Sequence, residues 1–413
     1  MIRSVGIVGS GLAGAGVATG LRAQGFDGQI LLFGDETEHA YDRPSLSKAA
    51  LIERHSHPTP LLPAGWAEIN EITLIGGQAV TDFDLASRTL TSAAGQSFVV
   101  DKAVFATGLR SRELGIEGEH LDGVQHLRTW ADQLAMREAL HPGTRLAIVG
   151  GGLVGCEIAT TARRLGAEVT IFEAGDELVA RVLGKQVGER CRHNLEKMGV
   201  TVRINASVSE IEGGARVEAV RAGDGTRMDA DMVLVCIGGV PADEVAAAAG
   251  IECNRGIIVD AQGRSSDQNV FAAGDVANWP LRDGTRRSLE TYLNAQEQAA
   301  CVAATLLGRG APAPQIPKGW TEIAGRKIQF VGNMAAQGRL IIRRRGDDAA
   351  HVAFLAGEQG ALLAALGVDA PGEFASAMRL VDRDMKPDLA QLADLDVSLR
   401  EILKSTRTME NTG

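Results

Sequence analysis

Cysteine is scarce in this sequence, and its distribution excludes the usual chemistry of paired cysteines. The 413 residues include five cysteines, at positions 156, 191, 236, 253 and 301. No two of them form a CxxC or CxxxxC pair, so the sequence predicts neither a metal knuckle nor a redox dithiol. Scattered single thiols are more often small core residues, and we predict that role here. We therefore expect no metal site.

Long apolar runs and an excess of positive charge are also missing. No apolar run approaches the roughly 20 residues that a membrane-spanning helix needs. The net charge is −10 and no dense lysine and arginine tract occurs, so neither nucleic acid nor an anionic membrane surface is an expected partner. An apolar strand begins within a few residues of Met1, which leaves no room for a signal peptide and favours a cytoplasmic location.

Glycine is abundant, and the first glycine cluster lies in a complete strand–helix–strand unit. An apolar strand runs into Gly9-x-Gly11-x-x-Gly14, a helix pattern follows, and a second strand ends at Asp35 and Glu36. This order is typical of a dinucleotide-binding unit. The glycines allow a tight turn and let a pyrophosphate approach the helix N-terminus, whose dipole attracts negative charge. Either Asp35 or Glu36 is expected to accept a ribose hydroxyl.

A second unit of the same kind occurs at residues 146–173. A strand of the buried type leads into Gly150-Gly151-Gly152-Leu153-Val154-Gly155, and the next strand ends at Glu173. Two such units form an internal repeat and predict two separate dinucleotide sites. Glu173 is placed to chelate a ribose diol, and its charge would repel a 2′-phosphate. The sequence therefore favours NADH over NADPH. NADPH stays an alternative because Arg181, a few residues beyond Glu173, could contact a 2′-phosphate.

Three further segments carry glycine or charged residues at the ends of predicted elements. Two strands of the buried type end in Ala106-Thr107-Gly108 and in Gly274-Asp275, and an ordinary turn would also explain either of them. The segment Tyr41-Asp42-Arg43-Pro44-Ser45-Leu46-Ser47-Lys48 predicts an extended Arg43 before Pro44, then a helix that begins near Ser45 or Ser47. This segment is either a capped surface helix or a place where Arg43 and Lys48 lie beside a bound dinucleotide.

Short β-type runs outline the rest of the chain. Residues 72–104 and 200–237 are each expected to form a small antiparallel layer. From about Ala311, a third module is predicted, with one antiparallel sheet and helices at residues 371–382 and 388–392. The run Arg343-Arg344-Arg345 is interpreted as a solvated strand edge, and a docking patch for an acidic partner is the less favoured alternative.

With both glycine fingerprints, Ala106-Thr107-Gly108 and Ala273-Gly274-Asp275 in order, the sequence resembles the flavoproteins that bind FAD at a first site and NAD(P)H at a second. The segment from Tyr41 to Lys48 and the run Glu290-Thr291-Tyr292-x-Asn294-Ala295-Gln296 are similar to the FAD-dependent ferredoxin reductases of bacterial ring-hydroxylating dioxygenase and cytochrome P450 systems. The resemblance covers nearly the whole chain.

The resemblance implies an α/β fold with two Rossmann-like domains, as in glutathione reductase, and a C-terminal α+β domain. Residues 1–111 and 238–313 would bind FAD, residues 112–237 would bind NADH, and residues 314–413 would form the third domain. The expected redox partner is a [2Fe–2S] ferredoxin. The resemblance makes no prediction of oligomeric state.

Individual site residues follow from the same resemblance. Positions that line FAD in the family are matched by Ala13, Asp35, Arg43, Lys48, Val80, Thr107, Gly108, Arg128, Asp275 and Tyr292. Positions that bind NADH are matched by Gly150, Gly152, Gly155 and Glu173. The other predicted cofactor-binding residues are Gly9, Gly11, Gly14, Glu36, Pro44, Ala106, Leu153, Val154, Glu157, Gly238, Gly274, Glu290 and Thr291.

Two of these residues are assigned catalytic roles, and a third holds the flavin. Lys48 would lie by the flavin N5/O4 edge, Glu157 would lie near Lys48 where the nicotinamide stacks, and Asp275 would hold the ribityl chain. Because no cysteine precedes Cys156, relay of electrons through a thiol near the flavin is not expected. The family's C-terminal module usually opens with an aromatic cluster, of which this chain retains only Trp320.

Two alternatives use the same fold with a different outcome. The first is an NADH oxidase or quinone reductase that needs no protein acceptor. The second is a redox-responsive binding protein whose partner surface changes when NADH binds.

Overall fold

The computed structural model describes residues 2–38, 40–53, 57–344, 346 and 350–410. The chain forms two compact units. The first unit comprises Met1–Leu46, His55–Ser111 and Gly239–Gln315. The second unit comprises Ser47–Arg54, Arg112–Gly238 and Ile316–Gly413.

The strands alternate with helices at the two glycine fingerprints and follow one another in longer runs elsewhere. In chain order they are β1 (Ser4–Val8), β2 (Gln29–Phe33), β3 (Ile72–Ile75), β4 (Val80–Asp84), β5 (Thr89–Ser92), β6 (Ser97–Val99), β7 (Lys102–Phe105), β8 (Leu109–Ser111), β9 (Val124–Gln125), β10 (Arg145–Val149), β11 (Glu168–Phe172), β12 (Thr201–Arg203), β13 (Val208–Gly213), β14 (Val217–Ala222), β15 (Arg227–Asp229), β16 (Met232–Val235), β17 (Gly239–Pro241), β18 (Ile257–Ile258), β19 (Val270–Ala272), β20 (Ala277–Pro280), β21 (Arg286–Arg287), β22 (Lys318–Ile323), β23 (Arg326–Gly332), β24 (Arg339–Arg343), β25 (His351–Ala356) and β26 (Leu362–Val368).

The helices are short or of medium length. In chain order they are α1 (Leu12–Ala23), α2 (Ala49–Ile52), α3 (Trp66–Ile69), α4 (Trp130–Ala139), α5 (Leu153–Arg164), α6 (Ala180–Leu183), α7 (Lys185–Lys197), α8 (Glu244–Ala248), α9 (Tyr292–Leu306), α10 (Pro371–Asp382), α11 (Leu389–Ala393) and α12 (Leu399–Glu410). Within the ranges that the structure describes, no helix combines the length and apolarity needed to cross a membrane.

A five-stranded parallel sheet in the order β19-β7-β1-β2-β3 forms the centre of the first unit. Strands β1, β2, β7 and β19 are buried along most of their length, which is why they read as continuous apolar runs, whereas the edge strand β3 exposes Thr73. Helix α1 packs against α9 through small residues, so that a side chain at Gly16 would meet Ala299 and one at Gly20 would meet Ala303. A separate antiparallel sheet is formed by β4, β5 and β6.

The second unit repeats this architecture with the parallel order β12-β11-β10-β16-β9 and an antiparallel sheet of β13, β14 and β15. In both sheets the strand that precedes the glycine fingerprint lies at the centre. Strand β1 lies between β2 and β7, and β10 lies between β11 and β16. The predicted α/β class is confirmed. The antiparallel layers are smaller than predicted, because β3, β12 and β16 join the parallel sheets.

The C-terminal residues of the second unit form an antiparallel sheet in the order β22-β23-β26-β25-β24. The predicted antiparallel sheet and the helix predicted at residues 371–382 are present, and the helix predicted at residues 388–392 spans Leu389–Ala393. The sequence reading missed β22, β26 and α12. Apolar residues of β22 and β23, including Phe330, share a core with Ile158 of α5, so this sheet packs against helix α5 of its own unit. The predicted three-domain boundaries stay a prediction.

Arg343 corrects the interpretation of the arginine run as a solvated edge. Strand β24 is indeed an edge strand, but the Arg343 side chain is only 1% exposed. Its guanidinium donates to the carbonyl oxygens of Leu392 at 2.8 Å, Asp394 at 2.5 Å and Val397 at 3.0 Å. These carbonyls include those at the end of α11, which have no partner within the helix. Arg345 lies outside the described residues.

We expect Arg343→Met to lower the free energy of unfolding by roughly 3 kcal/mol, because it leaves buried carbonyls without a charged donor. Urea unfolding followed by circular dichroism measures the change. Arg339→Met, at an exposed position of the same strand, is the matched control and should cost less than about 0.5 kcal/mol. Equal losses in the two variants would show that the buried hydrogen bonds contribute nothing.

Candidate functional site

The first glycine fingerprint forms an open turn at the carboxyl end of β1. Gly9 has a φ of +110°, and a side chain there would lie 2.2 Å from the Ala106 carbonyl oxygen. A side chain at Gly14 would lie 1.8 Å from the Gly9 oxygen, so α1 packs directly on the turn. At Gly11, no atom lies within 4 Å of the position of a side chain. Gly11 is the N-cap of α1 and supplies no side-chain cap, which suits a pyrophosphate at that terminus.

The second glycine fingerprint has the same geometry. Gly150 has a φ of +108°, and a side chain there would meet the Cys236 carbonyl. A side chain at Gly155 would meet the Gly150 oxygen, whereas one at Gly152, the N-cap of α5, would face open space. The repeat in the sequence is therefore a repeat in structure. Each turn has one glycine that bends the backbone, one that admits the helix and one that leaves room for a ligand.

Two other strand ends of the first unit meet the Gly9 turn. Gly274, with a φ of +77°, lies so close to α1 that a side chain there would approach Ala13 Cβ at 2.8 Å. The Gly274 N–H donates to buried Gln298 at 2.8 Å. The Thr107 hydroxyl, at the end of β7, donates to the Ala242 carbonyl at 2.6 Å. The structure thus gathers the ends of β1, β7 and β19 at one edge of a parallel sheet, where ligands of such folds bind.

The two acids at the end of β2 have different surroundings. Glu36 accepts hydrogen bonds from the Tyr41 hydroxyl at 2.7 Å and from Arg43 at 2.5 Å. Asp35 is exposed, and its carboxylate accepts the Glu36 N–H. Burial alone would lower the pKa of Arg43, but Tyr41, Glu36 and Asp35 raise it. Glu36 therefore orients Arg43, and its role toward a ribose stays a prediction, as does that of Asp35.

The backbone around Pro44 differs from the prediction. Arg43–Ser45 form a 3₁₀ helix with Pro44 near its start, so Arg43 is not extended. Proline is tolerated in a first helical turn because its missing N–H would have no partner there. The next helix, α2, begins at Ala49 rather than near Ser45 or Ser47.

Glu173 lies at the end of β11 in the second unit. One carboxylate oxygen accepts the Gly151 N–H and the other accepts the Gly175 N–H, both at 2.6 Å. The acid is therefore fixed beside the glycine turn. Arg181 is exposed in α6, and Gly238, with a φ of +96°, follows β16.

A buried cluster of four side chains forms around Glu157, and we call it the Glu157 cluster. One oxygen of Glu157 accepts from Ser47 Oγ at 2.6 Å and pairs with Lys48 Nζ at 2.7 Å. The other accepts from Thr321 Oγ1 at 2.7 Å and from the Glu322 N–H at 3.3 Å. The structure brings the two predicted catalytic residues into contact. Sequence reasoning missed Ser47 and Thr321 as members, because no local pattern links these distant positions.

The remaining predicted residues are distributed over both units. Val80 is buried at the start of β4, and Thr291 caps α9, whose first residue is Tyr292. Glu290 is exposed before that cap. Leu153 and Val154 open α5, and Val154 is exposed. Arg128 and Lys48 belong to the second unit, whereas the other residues predicted to line FAD belong to the first.

The five thiols are unpaired and have little thiolate character. Burial raises the pKa of Cys191 and of Cys236 to about 12 and that of Cys253 to about 11. It also raises the pKa of Cys156 and Cys301. Among the described residues, no group of histidine, cysteine, aspartate or glutamate side chains could hold a metal ion.

These thiols are expected to react slowly. At neutral pH, iodoacetamide should label Cys253 roughly 100-fold more slowly than a free cysteine, because a thiol with a pKa near 11 is almost wholly protonated. Peptide mass spectrometry over time measures the labelling, and the same protein in urea is the control. Rapid labelling of a thiol with parallel loss of activity would contradict the absence of thiol chemistry.

Comparisons with known proteins agree with this geometry. The family model described as pyridine nucleotide-disulphide oxidoreductase matches residues 3–299, and the one described as reductase C-terminal matches residues 319–403. The ferredoxin–NAD(+) reductase component of a biphenyl dioxygenase system from Paraburkholderia xenovorans is 47% identical over 405 residues, or 98% of this chain and 99% of that protein. The ferredoxin reductase component of chlorobenzene dioxygenase from a Cupriavidus species is 46% identical over 405 residues, which cover 98% of this chain and 98% of that protein. Putidaredoxin reductase, solved in a covalent complex with putidaredoxin, matches with a TM-score of 0.93 at 31% identity, covering 98% of this chain and 99% of that one.

Proposed function

Because the chain belongs to the pyridine nucleotide-disulphide oxidoreductase family, we propose that it is the ferredoxin reductase of an oxygenase system and passes electrons from NADH through FAD to a [2Fe–2S] ferredoxin. The resemblance to oxygenase-type ferredoxin reductases is confirmed by relatives that bear such names. An aromatic-ring dioxygenase is the favoured terminal oxygenase, since the relatives at 46–47% identity are named for dioxygenases.

The observation that carries the proposal is the pair of equivalent glycine turns in one chain. Each turn leaves open space at its second glycine, Gly11 or Gly152, at a helix N-terminus, where N–H groups and the helix dipole favour a pyrophosphate. A protein that holds two dinucleotides is suited to electron transfer between them. Bound FAD supplies a ring that accepts a hydride from NADH and releases its electrons singly.

In the first unit, residues at the carboxyl end of the parallel sheet would hold FAD. Gly11 would admit the pyrophosphate, and Asp35 or Glu36 would accept ribose hydroxyls. Arg43, held by Glu36, would place a positive charge beside the nucleotide. Asp275 would accept hydroxyls of the ribityl chain. The residues present fit the cofactor, because the opening at Gly11 would be filled by any larger side chain.

In the second unit, the Gly150 turn would hold the pyrophosphate of NADH. Glu173 is fixed by two backbone N–H groups, so its carboxylate is oriented before the nucleotide arrives. A carboxylate there accepts both ribose hydroxyls and repels a 2′-phosphate. NADH is therefore the proposed donor, in preference to NADPH.

The Glu157 cluster would set the charge near the reacting atoms. Lys48 and Glu157 form a partly buried ion pair, with side-chain exposures of 19% and 7%. Lys48 would stabilise negative charge on the reduced cofactor or exchange its partner when the nicotinamide binds. Because the five cysteines form no disulfide and burial raises the pKa of each thiol, electrons would leave without passing through sulfur. A cytoplasmic location remains the prediction from sequence.

The proposal is tested by offering the protein several acceptors under one set of conditions. We expect NADH to drive rapid reduction of a dioxygenase-type [2Fe–2S] ferredoxin, with much slower reduction of quinone or oxygen. Faster turnover with oxygen or quinone would instead favour an oxidase or quinone reductase. Slow turnover with every acceptor, together with a mass change on adding NADH, would favour the redox-responsive binding protein.

A further inference from the structure

The Glu157 carboxylate has more hydrogen-bond donors than an ion pair with Lys48 requires. Besides Lys48, it accepts from two hydroxyls and one backbone N–H, so that each carboxylate oxygen has two donors. A buried carboxylate without donors is strongly disfavoured, and hydrogen bonds to its charged form offset that cost. The Glu157 carboxylate therefore keeps three hydrogen-bond donors, Ser47, Thr321 and the Glu322 N–H, when Lys48 moves away.

Thr321 is the most buried of the three side chains that donate to Glu157. Its side chain is fully buried on β22, where it lies opposite Ile328 of β23. Threonine is β-branched, so its χ1 angle is restricted and its hydroxyl has few alternative positions. Lys48, by contrast, carries its charge on a flexible four-carbon stem and is partly exposed.

Helix α5 is hydrogen-bonded to the same two segments at neighbouring positions. Thr160 accepts the Ala324 N–H at 2.9 Å, next to β22, and the Thr161 hydroxyl donates to the Ser47 carbonyl at 2.8 Å. Glu157, Thr160 and Thr161 have the spacing that places side chains on one helix face. The helix that begins at the Gly150 turn is thus connected to both Lys48 and the C-terminal sheet.

We propose that Thr321 is a positioning residue: it holds the Glu157 side chain in place so that Lys48 can leave and regain it during reaction with NADH. The role rests on the proposed function, because it assumes that Lys48 acts near the flavin. The contact also gives the C-terminal sheet a part in the nucleotide reaction.

The test compares Thr321→Val, which removes only the hydroxyl, with Thr321→Ser, which keeps it. We expect Thr321→Val to lower the limiting rate of flavin reduction by NADH roughly tenfold, while the NADH concentration for half that rate changes less than about twofold. Thr321→Ser should restore the rate to within about twofold of the parent. Thr406→Val is the matched control, because Thr406 is also buried and its hydroxyl donates to the Ile402 carbonyl of its own helix.

A second readout does not depend on activity. In urea unfolding of the holoenzyme, Lys48→Met should lower the folding equilibrium constant about tenfold more in the Thr321→Val background than in the parent, because Glu157 has then lost two donors. Additive effects in this cycle, a parental reduction rate for Thr321→Val, or equal slowing by Thr406→Val would each overturn the positioning role. Failure of NADH to reduce the parent protein would overturn the proposed function instead, and the unfolding cycle would still decide whether Thr321 holds Glu157.

Discussion

Gly11→Ala is expected to give a folded protein that no longer retains FAD, whereas Gly152→Ala is expected to give a yellow protein that NADH cannot reduce at ordinary concentrations. The backbone at both glycines is extended, with φ of −71° and −75°, and both positions face open space. A methyl group is therefore compatible with the fold but would occupy the proposed place of the pyrophosphate.

The expected size of these effects follows from the lost hydrogen bonds. If the methyl group prevents two charge-assisted N–H contacts worth roughly 1.5 kcal/mol each, the dissociation constant of the nucleotide rises on the order of 100-fold. Flavin retention after gel filtration measures the first site, and NADH titration under anaerobic conditions measures the second. Gly214→Ala, at another open glycine without a positive φ, is the control and should change neither. FAD binding at parental strength in Gly11→Ala would mean that the Gly9 turn does not hold the cofactor.

Glu157→Ala is expected to lower the free energy of unfolding by about 3 kcal/mol, because it leaves the partly buried Lys48 ammonium and two buried hydroxyls without their carboxylate acceptor. We expect the same variant to slow flavin reduction on the order of 100-fold, since the charge of Lys48 loses its fixed position. Urea unfolding and anaerobic rapid mixing with NADH measure the two effects.

Lys48→Met provides the comparison. The Glu157 carboxylate keeps Ser47, Thr321 and the Glu322 N–H in this variant, so its unfolding free energy should fall by less than that of Glu157→Ala, by about 1 kcal/mol. Flavin reduction by NADH in Lys48→Met should still be slower than in the parent protein. If single-turnover reduction is unchanged in both variants, the ion pair has no part in the reaction.

The glycine turns could be predicted from sequence because their requirements are local. A turn that bends at positive φ, admits a helix and leaves an opening needs glycine at fixed spacing, and Gly9, Gly11 and Gly14 meet that need within six residues. The strand ends at Thr107 and Gly274 were also recognisable, because a buried strand followed by glycine is a local pattern.

Strand partners and buried charges could not be predicted in the same way. The run at Ile72–Ile75 has the composition of any short strand, and only pairing with β2 makes it parallel. Arg343 belongs to a run of charges, but its burial depends on carbonyls about fifty residues later in the chain. Ser47 and Thr321 lie 110 and 164 positions from Glu157, and no sequence spacing connects them.

The most direct test of the central claim is an anaerobic titration of the yellow protein with NADH, followed by visible absorbance. If two nucleotide sites pass electrons through a flavin with no sulfur centre, one equivalent of NADH should bleach the flavin completely, and added ferredoxin should restore its colour. A requirement for two equivalents would reveal a second redox centre in the chain, and a flavin that NADH does not bleach would contradict the account altogether.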